Sequence, residues 1–147
     1  MTDPGLLKGK RILVVDDDRN IRKLLREELE GSRYTIVEAK DGFDAVEQIR
    51  YRRPDLIILD IMMRKGAEGF IFARKIRKDP RFARIPILML TSMREQTGFD
   101  FSGERIHPQF LPVDEYVEKP LDPEALPEKV EKVLSRNRDV GSLTAGA

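Results

Sequence analysis

The sequence predicts an α/β fold built on a doubly wound parallel sheet. Three observations predict it. Apolar runs of about four residues, too short for helices, recur along the chain and alternate with segments whose apolar residues fall at helical spacing. The connections between them are short, which implies right-handed βαβ crossovers. The runs are continuously apolar rather than alternating, as expected of strands covered on both faces.

Ile12-Leu-Val-Val15 is the first such run and leads into Asp16-Asp17-Asp18. Arg19 to Glu30 then carries Ile21, Leu24, Leu25 and Leu29 on one helical side, with Asp18 as N-cap and Gly31 placed to end the helix in a left-handed turn. Tyr34 to Val37 is the second strand, and Asp41 to Arg52 the second helix, stopped by Pro54. The third strand runs through Asp55-Leu-Ile-Ile-Leu-Asp60, in which four apolar residues end at a carboxylate. A helix over about Phe70 to Lys78 follows, then Ile87-Leu-Met-Leu90 ending at Thr91-Ser92. Met93 to Val113 breaks the rhythm with Gly98, Gly103, Pro108 and Pro112 beside Phe99, Phe101 and Phe110; it predicts a packed loop with at most a short helical turn. Tyr116-Val-Glu118 is the fifth strand, ending in Lys119-Pro120. Asp122-Pro123 caps a last helix reaching Arg136, with Pro127 awkward in its early part.

This gives residues 1–9 as a lead-in, 10–136 as one domain and 137–147 as a tail expected to be disordered. One domain also suits 147 residues with 40% hydrophobic and 36% charged side chains. The 27 basic and 26 acidic residues leave a formal charge of +1, so nothing in the total calls for nucleic acid or a membrane surface. No run approaches the length of a membrane span, and a cytoplasmic location is expected. Without cysteine there are no disulfides, thiolate nucleophiles or sulfur-bound metals. The single histidine, His107, leaves no material for a histidine-built metal site and is expected to be structural or exposed.

Chemistry must therefore run on carboxylates, hydroxyls and amines. Ligands of open α/β sheets bind outside the carboxyl ends of the strands, where the winding direction reverses. That edge receives Asp16 and Asp17 from the first strand, Asp60 from the third, Thr91 from the fourth and Lys119 from the fifth. Three carboxylates brought together repel one another, and a hard cation such as Mg²⁺ relieves the repulsion. Lys119 and the Thr91 hydroxyl could contact phosphoryl oxygens, and an aspartate can act as a nucleophile that forms an acyl phosphate. Taken singly, the Asp16-Asp17-Asp18 run is a helix cap or solvated turn, Asp60 a turn residue and Lys119 a surface charge. Their joint occurrence on successive strand ends argues for phosphate chemistry at Asp60.

Over roughly Lys10 to Arg136 the sequence resembles the receiver domains of two-component response regulators. The match rests on Ile12-Leu-Val-Val-Asp-Asp-Asp18, Leu56-Ile-Ile-Leu-Asp60, Leu88-Met-Leu-Thr-Ser92 and Tyr116-Val-Glu-Lys-Pro120, in order on the expected elements. The resemblance implies a flavodoxin-like sheet of five parallel strands in the order 2-1-3-4-5 with helices on both faces; where the family has its fourth helix this sequence has Met93 to Val113, so that helix is expected to be short or replaced by a loop. It implies Asp60 as phosphoacceptor, served by a sensor histidine kinase or phosphotransfer protein. Asp16, Asp17, Asp60 and the Met62 backbone carbonyl would hold Mg²⁺. Thr91 and Lys119 would bind the phosphoryl group, and Tyr116 would change rotamer together with Thr91. The expected protein is a signalling switch, not an enzyme acting on other molecules, that catalyses its own phosphoryl transfer and controls an unknown output protein as a monomer or weak homodimer.

Two departures stand out. Arg64 occupies a place where the family usually has proline, and the loop to Gly69 is one residue longer than common. The Met93 to Val113 composition leaves the output surface open and, with Arg64, motivates an alternative, a receiver-like interaction module that works without phosphorylation. An aspartate-nucleophile phosphatase ranks low, because its second acid two residues on would fall at Met62. Met62 and Met93 predict a long-lived acyl phosphate by hindering water. With no DNA-binding segment after Arg136, the sequence reads as a stand-alone regulator.

Overall fold

A computed structural model describes residues 9–31, 34–60, 68–91, 113–118 and 124–146. Its elements in chain order are β1 (Arg11–Val15), α1 (Arg19–Glu30), β2 (Thr35–Ala39), α2 (Gly42–Tyr51), β3 (Leu56–Asp60), α3 (Glu68–Lys78), β4 (Ile87–Thr91), β5 (Glu115–Glu118) and α4 (Ala125–Gly146). The five strands form one sheet in the order β2-β1-β3-β4-β5, all neighbours parallel. This is the doubly wound, flavodoxin-like architecture that the sequence predicts.

Strand side chains point alternately to opposite faces, and here both faces are covered. Ile12, Val14, Leu56, Ile58, Leu88 and Leu90 pack with Leu25 and Leu29 of α1 and Leu126, Val130, Val133 and Leu134 of α4. Their neighbours Leu13, Val15, Ile57, Leu59 and Ile87 pack with Ala45 and Ile49 of α2 and Phe72, Ala73 and Ile76 of α3. Two cores on a shared sheet explain why the strands read as unbroken apolar runs: every position has a buried side.

Helix starts follow local chemistry. Asp18 caps α1 by accepting from the Asn20 N–H at 2.8 Å, and Asp41 caps α2 by accepting from the Asp44 N–H at 2.7 Å. Three details differ from the sequence reading. Gly31 is right-handed, with φ −61° and ψ −19°, rather than left-handed, and its N–H turns back to the Leu29 carbonyl. β2 begins at Thr35 and continues to Ala39, because its register carries Glu38 opposite Val14 and Ala39 opposite Val15. The last helix runs on to Gly146, through the segment expected to be a disordered tail. Its first turns are anchored by Leu126, Val130, Val133 and Leu134, and a nucleated helix gains one hydrogen bond for each residue added. Pro127 falls at the third position of α4, where a backbone N–H has no intrahelical partner, so it disturbs nothing. The Asp122-Pro123 cap, the Arg64 loop and the stretch from Met93 to Pro112 lie outside the described residues. Among the described residues, no helix is long and apolar enough to cross a membrane.

Candidate functional site

The strand order places β1 between β2 and β3, so the chain winds in opposite directions on either side of the β1–β3 boundary. A crevice at the carboxyl ends of these two strands is the expected result. Asp60 is the last residue of β3 and pairs with Leu90 of β4. Asp16 follows directly on Val15, the last residue of β1. Carboxylate oxygens of Asp16, Asp17 and Asp60 all lie within 4.8 Å of one another. Asp16 is fully buried, Asp60 is 5% exposed and Asp17 is intermediate.

Backbone contacts hold this acidic turn. The Asp16 N–H donates to the Ala39 carbonyl at 3.1 Å, extending the β1–β2 ladder past the strand end. One Asp16 carboxylate oxygen, Oδ1, accepts from the Asp18 N–H at 2.8 Å, which tightens the turn into α1. Nη1 of Arg22, one turn into α1, donates to the Asp16 carbonyl at 2.8 Å. Arg22 is oriented in turn by Glu38, whose Oε1 accepts from Arg22 Nε at 3.0 Å; the other oxygen of Glu38 accepts from Arg26 Nε at 2.9 Å. Burial pushes the Glu38 carboxyl up, but hydrogen bonds from Arg26 and Arg22 outweigh it and hold the group below the usual carboxylate range.

Thr91 ends β4, its backbone in register with Glu118 of β5. Tyr116 lies opposite Met89. Lys129 of α4 donates from Nζ to the Tyr116 carbonyl at 2.8 Å and stands 5.2 Å from the centre of its ring, a cation–π distance. Of the residues singled out in the sequence, the fold thus brings Asp16, Asp17 and Asp60 together and sets Thr91 and Tyr116 on the adjoining strands. Lys119 and Met62 lie outside the described residues. Sequence reasoning passed over Arg22, Glu38 and Lys129. A signal for the first two existed: Glu38 is a charge near the end of a strand, and Arg22 and Arg26 are four residues apart on one helix face.

The cluster offers only carboxylate oxygens, the donor set of a hard divalent cation such as Mg²⁺ and a poor one for softer metals.

Residues 12–131 match the response regulator receiver domain family, and the chain belongs to that family. It is a receiver of two-component signal transduction, the class whose switching depends on phosphorylation. Among curated relatives, the phosphate regulon transcriptional regulatory protein PhoB of Pseudomonas aeruginosa is 36% identical over 128 residues, which are 87% of this chain and 53% of PhoB. The DNA-binding dual master transcriptional regulator RpaA of Synechocystis is 37% identical over 130 residues, 86% of this chain and 49% of RpaA. The chain therefore spans about half the length of these relatives. The solved structure of the chemotaxis response regulator CheY4 of Vibrio cholerae superposes with a TM-score of 0.73 at 28% identity, covering 86% of this chain and 99% of CheY4.

Proposed function

We propose that the protein is a phosphorylation switch that accepts a phosphoryl group on Asp60 from a histidine kinase or phosphotransfer protein. The observation that carries this reading is the convergence of Asp16, Asp17 and Asp60 at the β1–β3 edge. A carboxylate oxygen of Asp60 attacks the phosphorus of a phosphohistidine; the P–N bond breaks, and the departing imidazole keeps its electron pair and is protonated from solvent. Asp16 and Asp17, with Asp60 and the Met62 backbone carbonyl, would hold Mg²⁺, which would neutralise charge on the transferring group. Lys119 meets a phosphoryl oxygen as a point charge, and the Thr91 hydroxyl donates to another. Tyr116 changes rotamer together with Thr91, and its ring, 5.2 Å from Lys129 Nζ, carries the change to α4. The output is a partner protein that reads the changed surface, and the site of action is the cytoplasm.

Beryllofluoride, which adds to an aspartate as a phosphoryl mimic, tests the reading. With Mg²⁺ present it should shift the ¹H–¹⁵N resonances of Asp60, Thr91 and Tyr116, and Asp60→Asn should abolish every shift. Identical spectra with and without beryllofluoride would remove the switch.

A further inference from the structure

Both backbone hydrogen-bonding groups of Asp16 are held. The Asp16 N–H is held by the Ala39 carbonyl at 3.1 Å, and the Asp16 carbonyl is held by Arg22 Nη1 at 2.8 Å. That carbonyl and the Asp17 nitrogen share one rigid plane. The arginine that sets the carbonyl direction therefore also sets the direction in which Asp17 leaves the strand. Arg22 is itself braced: Glu38 accepts from its Nε at 3.0 Å, and Glu38 is braced by Arg26 at 2.9 Å. The Arg22 side chain is 15% exposed and that of Glu38 30%, so the bonds Arg22 makes are partly shielded from competing water.

We propose that Arg22 is a positioning residue for the acidic cluster, holding the Asp16–Asp17 peptide so that both carboxylates are preorganised for a divalent cation, with Glu38 as its brace. The inference rests on the metal-dependent receiver reading above. Arg22 touches neither the cation nor the phosphoryl group; it acts through the backbone of a ligand.

Charge and geometry make opposite forecasts, which isolates the claim. Removing a positive side chain beside a cation site strengthens cation binding on Coulombic grounds alone. Losing a group that orients a ligand weakens binding, typically by about 10- to 100-fold. Arg22→Met should therefore weaken Mg²⁺ binding about tenfold. Arg22→Lys keeps the charge but lacks the planar fork that serves the Asp16 carbonyl and Glu38 together, so it should also bind Mg²⁺ more weakly.

Isothermal titration of Mg²⁺ into the full chain, with thermal unfolding of each variant alongside, decides the matter. Phosphorylation by acetyl phosphate adds a second readout. Both variants should be slow at low Mg²⁺ and recover the wild-type rate at saturating Mg²⁺, a separation that general loosening of the fold does not produce. A folded Arg22→Met or Arg22→Lys that binds Mg²⁺ as tightly as wild type, or tighter, overturns the proposal. So does failure of both variants to fold, which would make Arg22 a stability residue. If wild type itself binds no Mg²⁺, the receiver reading of the cluster fails first; if wild type binds and the variants match it, only the role of Arg22 fails.

Discussion

Carboxylate oxygens of Asp16, Asp17 and Asp60 lie within 4.8 Å of one another, so like charges crowd one sheet edge and a divalent cation there would lower their mutual repulsion. Asp17 is the partly exposed member, so replacing it disturbs the core least. Asp17→Asn should raise the unfolding temperature of the Mg²⁺-free protein by about 2–4 °C, corresponding to about 1 kcal/mol of relieved repulsion in a domain of this size. The same change should abolish the response to Mg²⁺. In wild type, a hundredfold excess of Mg²⁺ over its Kd is worth about 2.7 kcal/mol, or about 5–10 °C. Thermal unfolding of both proteins with and without Mg²⁺ checks the pair of effects. A mutant that melts lower than wild type without metal, or that keeps the full Mg²⁺ response, would contradict it. Asp16, Asp17 and Asp60 were legible in the sequence because each follows an apolar run that fixes where a strand ends. For Arg22 only the pairing with Glu38 had a sequence signal; its bond to the Asp16 backbone carbonyl leaves no mark on the sequence.

The contact between α1 and β2 is the element on which that geometry leans. Arg22 and Arg26 share Glu38, and Arg26 also donates to Glu30 at 2.9 Å. Hydrogen bonds to Glu30 and then Glu38 raise the Arg26 guanidinium further above its already high value, so it stays charged at every working pH. Glu38 is the member shared by both arginines. Its carboxyl lies lower in the folded chain than in the unfolded one, so its contribution is present above the ordinary glutamate value of about 4.3 and is lost as pH falls through the depressed value. Glu38→Gln should cost about 1 kcal/mol at pH 7, the scale of a partly exposed charged network. Urea unfolding of both proteins across the acid range should show that gap closing below about pH 4. A gap that stays constant with pH would show that Glu38 acts through shape alone. Element boundaries were less legible than the elements themselves. β2 runs past Val37 because ladder pairing with β1 outweighs the polarity of Glu38. α4 outruns its apolar stripe because propagation from a packed start needs no further burial.

At the scale of the whole molecule, the doubly wound sheet was legible because Ile12–Val15, Leu56–Leu59 and Ile87–Leu90 bury side chains on both faces, leaving no polar alternation to confuse strand with surface hairpin. The order β2-β1-β3-β4-β5 then follows from right-handed crossovers and a single reversal of winding, and that reversal is what carries the ends of β1 and β3 into one crevice. Less legible was anything that depends on one side chain reaching another element, as Lys129 of α4 does in holding the Tyr116 carbonyl of β5. The chemistry proposed for this crevice is nucleophilic attack of Asp60 on phosphorus. Intact-mass measurement after incubation with Mg²⁺ and acetyl phosphate tests it. Wild type should gain one phosphoryl group, and the gain should be absent when Mg²⁺ is chelated and in Asp60→Asn; no gain in wild type, or an equal gain in Asp60→Asn, would contradict attack by Asp60.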